Sequence, residues 1–286
     1  MCRLFGLHAG PRPVRATFWL LDAPDSLSVQ SRREPDGAGI GTFDTAGRAH
    51  VAKQPLAAWE DHAFAREARD LKSTTFLAHV RYASTGALTM ANTHPFEQDG
   101  RLFAHNGVLH GLEQLDQRLN ELGVMDLVLG QSDSERLFAL ITAETRLAGG
   151  DVGTGIVKAI HWVARELPPV FSLNFILTTA TDMWALRYPA THELYVLERQ
   201  ASASAPLDAR SHRIRSKSTE LSRSPTCPLR HRTHGPQPWL AAHGVRRAGS
   251  CRSGSLRNLH CSVAESSFAS AHPRRSRTDR GGVAAA

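Results

Sequence analysis

Cysteine is scarce in this chain. There are four in 286 residues, and three of them, Cys227, Cys251 and Cys261, lie beyond residue 200. Cys2 therefore stands alone in the first 200 residues, which excludes an internal disulfide framework there, and no pair has the Cys-x-x-Cys spacing of a structural zinc site. Long apolar runs are also missing. Nothing approaches the roughly 20 apolar residues that span a bilayer. Residues 1–20 are interrupted by Arg3, His8, Arg12 and Arg15, so they contain no signal-peptide core. The expectation is a soluble, cytoplasmic protein with no membrane partner. Acidic residues are lacking in one region only. Residues 201–286 carry 15 Lys+Arg against 4 Asp+Glu, so the overall +7 hides a net of −4 over residues 1–200 and +11 beyond them. Reading the whole chain as a nucleic-acid binder on its mean charge would be an averaging error.

What is present divides at about residue 200. The body, 1–200, alternates strand patterns with amphipathic helices and is long enough to bury a sizeable core. Strands are expected at 1–7, at 39–43 and 49–53 (a hairpin around Asp44-Thr45-Ala46-Gly47), at 74–82 and at 101–105. Helices are expected at 59–70 and 112–122. Ser132-Asp133-Ser134-Glu135 has the form of a capping box and opens a further helix through Leu137, Leu140, Ile141 and Leu147. Ile156, Val157, Ile160, Val163 and Leu167 form the apolar stripe of another, stopped by Pro168-Pro169. Three strand patterns follow, around 171–177, 184–188 and 194–197. Strands, then two helices, then strands predict a layered α+β fold rather than a doubly wound sheet. Residues 201–286 read as an Arg/Ser-rich tail without apolar periodicity, expected to be disordered. It also admits reading as a nucleic-acid arm or as an alternative-frame extension.

The chemistry concentrates in a few residues. If Met1 is removed, Cys2 carries a thiol and a free α-amine together, a nucleophile with its own base. His79-Val80-Arg81-Tyr82-Ala83-Ser84-Thr85-Gly86 puts an arginine at a strand end, followed by hydroxyls. Asn92-Thr93-His94-Pro95-Phe96 comes next, and Ala104-His105-Asn106-Gly107 ends a strand with an amide side chain. Each has a plainer reading when taken alone. Arg81 fits a surface salt bridge, Asp133 a helix N-terminus, and Asn106-Gly107 a hairpin turn. His79, His94, His105 and His110 match no metal-ligand spacing, so no metal and no cofactor are expected; His94 and His105 are expected to make structural hydrogen bonds.

Taken in order, Met1-Cys2-Arg3-Leu4-Phe5-Gly6, Asp36-Gly37-Ala38-Gly39, the Arg81 segment, Asn92-Thr93-His94-Pro95-Phe96, Ala104-His105-Asn106-Gly107 and Ser132-Asp133-Ser134-Glu135 resemble the class II glutamine amidotransferases of the N-terminal nucleophile hydrolase superfamily. The likeness is to the small stand-alone members, which include the γ-glutamyl hydrolase type of the ergothioneine pathway. One departure is Ala38, where many stand-alone members carry an aromatic residue. The resemblance implies a four-layer α/β/β/α sandwich over residues 1–200. It also implies attack by Cys2 on a γ-glutamyl amide through a γ-glutamyl thioester, with Asn106 and Gly107 holding the oxyanion. Arg81 would take the substrate carboxylate and Asp133 its ammonium. Ser84 and Thr85 would line the pocket, and Gly37 would let the backbone approach. The substrate implied is glutamine or a γ-glutamyl compound, with a synthase as the possible acceptor of ammonia and no nucleic-acid partner. The alternative is a catalytically silent domain whose Arg-rich tail binds nucleic acid.

Overall fold

The computed structural model describes residues 2–84, 86–189 and 191–196, and the strand segments 207–210, 215–218 and 227–232. Its body is two stacked antiparallel sheets with helices on both outer faces, the four-layer sandwich expected.

The first sheet contains β1 (Arg3–His8), β2 (Ala38–Phe43), β3 (Ala49–Gln54), β4 (Thr75–Val80) and β9 (Glu193–Val196). The second is built from β5 (Phe96–Gln98), β6 (Arg101–Gly107), β7 (Leu173–Thr178) and β8 (Met183–Tyr188), in the order β5-β6-β7-β8. Three short strands lie beyond residue 200, where the sequence offers no apolar alternation. β10 (Leu207–Arg210) and β11 (Arg215–Ser218) pair with each other, and β12 (Cys227–Arg232) enters the first sheet, giving β3-β2-β4-β1-β12-β9. The rest of the Arg/Ser-rich stretch falls outside the described residues.

Three apolar clusters account for the layers. Leu4, Leu77, Leu102, Ala104, Ile176 and Met183 pack between the sheets. Because both faces of the central strands are covered, β4 and β7 are buried at every position, the polar His79 and Asn174 included. Outside the second sheet lie α3 (Leu112–Glu121), α4 (Asp133–Leu147) and α5 (Val152–Glu166). Their stripe, with Leu137, Leu140, Ile141, Ile156, Ile160 and Val163, meets Phe103 and Phe175. Phe103 stacks on Phe138 at 4.9 Å and 12°; such a pair contributes about 0.5–1.5 kcal/mol beyond its buried area. Outside the first sheet lie α1 (Leu27–Gln30), α2 (His62–Asp70) and a π-helical turn at Phe18–Asp22, packed through Trp19, Leu20, Leu27 and Phe64.

The helix starts follow from their caps. Asp61 accepts from the Ala63 amide at 2.8 Å and Asp151 from the Thr154 amide at 3.1 Å, so each supplies an acceptor to an amide that the helix leaves without one. Ser132 accepts from the Glu135 amide at 3.1 Å, one half of the capping box. The carboxylate of Glu135 takes the Gly130 amide at 2.6 Å, and so ties the preceding loop to α4. No described helix is long and apolar enough to cross a membrane.

Candidate active site

The ends of β1, β4 and β6 meet the N-terminus of α4 at a small cavity lined by Cys2, Arg81, Tyr82, Ser84, His94, His105, Gly107, Ser132, Asp133 and Ser134. Of the residues the sequence singled out, Cys2, Arg81, Ser84, Gly107 and Asp133 thus share one space. Asn106 adjoins it and donates from Nδ2 to the Cys2 carbonyl at 2.9 Å. Gly37 does not line the cavity, and Thr85 lies outside the described residues.

Cys2 precedes the first residue of β1, and its sulfur accepts from the Tyr82 amide at 3.2 Å. Burial pushes the thiol above its ordinary value, an effect the Tyr82 backbone, the N-terminal ammonium and Arg81 partly offset. A thiol shifted this way stays protonated at neutral pH, so its use as a nucleophile requires a base beside it.

Arg81 follows directly on β4 and is 4% exposed. Its guanidinium donates to the carbonyls of Ala87 (3.2 Å) and Gly86 (3.3 Å). These bonds orient it through the 82–92 loop, and Asn92 bonds the same Ala87 carbonyl at 3.0 Å. Gly37 acts on Arg81 through the backbone: the Arg81 amide donates to the Gly37 carbonyl at 2.7 Å, and the Asp36 amide to the Arg81 carbonyl at 3.1 Å. With φ at +152° and Thr93 3.1 Å from where a Cβ would sit, Gly37 occupies a position that only glycine fills without strain.

Asp133 is the first residue of α4 and is 3% exposed. Its Oδ2 accepts from the Leu109 amide at 2.8 Å, which fixes the carboxylate against the turn that follows β6. An acidic group here also lies at the positive end of the helix dipole. Gly107 ends β6 without a left-handed φ, so Asn106-Gly107 is a strand end and not a hairpin turn. A Cβ at Gly107 would strike the Ser172 carbonyl and come within 2.6 Å of the His105 ring.

The sequence reading did not identify Ser134 or Tyr82 as site residues. Ser134 Oγ lies 3.0 Å from His105 Nδ1, so His105 makes the structural hydrogen bond expected of it. His94 does not: neither of its ring nitrogens has a hydrogen-bond partner among the described residues. The ring instead packs against His79 at 4.1 Å, tilted by 35°, and meets Phe96 edge-on. Burial holds His94 neutral, its pKa well below the ordinary 6.5. Such contacts between elements distant in sequence leave no local motif to find. Among the described residues no group of three His, Cys, Asp or Glu side chains is arranged to hold a metal ion.

The family model for class II glutamine amidotransferases matches residues 1–214. An uncharacterized protein of Methanocaldococcus jannaschii is 34% identical over 152 residues, which cover 50% of this chain and 39% of that protein. A glutamine–fructose-6-phosphate aminotransferase of Bradyrhizobium diazoefficiens is 27% identical over 183 residues, covering 64% of this chain and 28% of that enzyme. The chain thus spans well under half the length of these two relatives. In fold it is similar to a glutamine aminotransferase class-II domain protein from Silicibacter pomeroyi, with a TM-score of 0.53 at 21% identity over 80% of this chain and 88% of the other. On the family match, which covers most of its length, the chain belongs to the class II glutamine amidotransferases.

Proposed function

We propose that the chain hydrolyses the γ-glutamyl amide of glutamine or of a γ-glutamyl conjugate, with Cys2 as an N-terminal nucleophile. The observation that supports this reading is the convergence of Cys2, Gly107, Arg81 and Asp133 on one cavity, with Asn106 bonded to the Cys2 carbonyl. Loss of Met1 frees the Cys2 α-amine, whose ordinary pKa of about 7.7–8.0 suits it to take a proton near neutrality. It accepts the thiol proton, which the buried sulfur does not give up by itself.

The thiolate then forms a bond to the amide carbon. The developing oxyanion is met by Asn106 Nδ2 and the Gly107 N–H, donors that act where charge appears only in the transition state. The α-ammonium returns its proton to the leaving nitrogen, the C–N bond breaks, and ammonia or an amine departs from a γ-glutamyl thioester. Water attacks that thioester, giving its proton back through the amine to sulfur as the C–S bond breaks, and the γ-carboxylate is released. Arg81 takes the substrate α-carboxylate in a planar fork. Asp133 takes the α-ammonium, so the amino acid is read at both charged ends.

A glutaminase that hands ammonia to a synthase on a second chain is the other form of the same chemistry. The likeness to a sugar-phosphate aminotransferase, of which this chain spans 28%, favours keeping that form in view. The test is product analysis. Incubation with glutamine is expected to give ammonia and glutamate in equal amounts, and Cys2→Ala to lower the rate by at least about 10⁴-fold. An unchanged rate in Cys2→Ala removes the reading. Preference for a γ-glutamyl conjugate over glutamine identifies the free-standing hydrolase.

A further inference from the structure

Cys2 sits one residue outside the sheet. The ladder between β1 and β4 begins at Arg3 opposite Val80, so no strand hydrogen bond holds the residue that the proposed function makes the nucleophile. A chain end in that position frays unless something ties it down. Here the Cys2 carbonyl accepts two side-chain hydrogen bonds, from Arg3 Nη1 at 3.1 Å and from Asn106 Nδ2 at 2.9 Å. Arg3 is held in turn by Glu34, with Nη2 to Oε1 at 3.2 Å and side chains only 12% and 4% exposed. Glu34 comes from the segment between α1 and β2. Two residues on, Asp36 accepts from the Ala83 amide at 2.8 Å, next to the Tyr82 amide that meets the sulfur. One short segment therefore reaches both the carbonyl side and the sulfur side of Cys2. Ion pairs this buried are weak grounds for stability, since apolar replacements of similar volume are often as stable.

We propose that Arg3 and Glu34 are positioning residues for the nucleophile. Glu34 fixes the Arg3 guanidinium, and Arg3 and Asn106 together fix the Cys2 carbonyl. That sets the rotation of the one residue from which both thiol and α-amine project. The inference takes the importance of this aim from the proposed function, but the grip on Cys2 is measurable without it.

The full-length, Met1-processed chain is compared with Arg3→Met, Arg3→Lys, Glu34→Gln and the double variant Arg3→Met/Glu34→Met, which leaves no lone buried charge. Glutamine hydrolysis gives kcat and KM, peptide mapping gives the rate of iodoacetamide alkylation at Cys2, and thermal unfolding monitors the fold. Arg3→Met is expected to lower kcat by about 10²-fold, the cost of a small misplacement of reacting groups, with KM within about threefold because Arg81 and Asp133 are untouched. Alkylation at Cys2 is expected to rise about fivefold as the sulfur leaves the Tyr82 amide for solvent. Glu34→Gln shows the same split more weakly, Arg3→Lys recovers most of kcat, and the double variant shows the full split without a lower melting temperature.

The proposal is overturned if the double variant keeps both kcat and Cys2 alkylation at wild-type values. It is equally overturned if kcat falls only together with KM and melting temperature, which marks a purely structural pair. Should the wild-type chain release no ammonia at all, the proposed function fails. The alkylation rates then decide this inference alone: a rise in the variants supports it and an unchanged rate overturns it.

Discussion

On the α4 side of the cavity the polar side chains are all buried, whereas on the side of the strand ends buried Arg81 and Asn106 stand beside an exposed Tyr82 and Ser84. Ser132 caps α4, Asp133 holds the Leu109 amide, Ser134 meets His105, and all three are at most 4% exposed. Across the cavity Tyr82 is 52% exposed and Ser84 is exposed. The ties also differ in reach. Ser132 and Glu135 are 3 residues apart and Asp133 and Leu109 are 24 apart, while Cys2 joins Tyr82 across 80 residues and Asn106 across 104. The α4 wall, proposed to read the substrate ammonium, is closed by bonds of shorter reach to the end of β6 and the turn after it. The wall carrying the sulfur exists only when the first sheet, the second sheet and the chain start have all come together. The sulfur thus depends on longer-range contacts than the α4 wall, while the reading of substrate, proposed for Arg81 and Asp133, draws on both walls.

Substitutions on the two walls should separate along the same line. After Cys2→Ala, the largest effect is expected at Asn106→Ala, which removes an oxyanion donor and one of the two bonds on the Cys2 carbonyl. It should cost about 10²–10³ in kcat with little change in KM, read from initial rates of ammonia release. Asp133→Asn comes next. Loss of a charged hydrogen bond is worth about 1.5–3 kcal/mol, so KM for glutamine should rise by roughly 10–10²-fold while kcat changes less. A fall in kcat without a change in KM would take the ammonium-reading role away from the α4 wall. The smallest effect concerns stability. His94 is held neutral in the fold with its pKa well below 6.5, so on acidification the unfolded chain takes up a proton that the folded chain refuses. Stability is therefore full above pH 6.5 and is lost as pH falls below it, at up to about 1.4 kcal/mol per pH unit for one group. His94→Gln should make the fall in denaturant midpoint between pH 7 and pH 5 shallower. An unchanged slope would contradict the neutral, partnerless ring. Burial lowers His8 and His105 as well, so part of the slope remains.

Much of the architecture was legible because its signals are local. Ser132 and the stripe from Leu137 to Leu147 mark α4, and alternating apolar positions mark β4 (Phe76, Ala78, Val80) and β7 (Leu173, Phe175, Leu177), although burial of their other faces was not legible. Gly107 illustrates a limit. Asn-Gly is a turn signal in any sequence, but here the glycine answers the Ser172 carbonyl and the His105 ring, neither of which a turn rule registers. The expected return of Glu135 to the Ser132 amide is replaced by a bond to Gly130, because the loop before α4 brings that amide to the carboxylate. His94 was expected to hydrogen-bond and instead packs against the tilted His79 ring, a choice made by the packing of two segments that approach only in the fold. The strand at Cys227–Arg232 had no periodicity to announce it; its place beside β1 is a matter of backbone pairing. Arg3 and Glu34 went unnoticed as a pair because 31 residues separate them.

The most direct test of the central claim is the intact mass of the purified chain before and after exposure to a glutamine-like diazo-ketone, followed by peptide mapping. The account predicts a chain lacking Met1, a single adduct at Cys2, protection by glutamine, and no adduct in Cys2→Ala. A chain that retains Met1 and still hydrolyses glutamine, or an adduct on Cys227, Cys251 or Cys261 in place of Cys2, would contradict it.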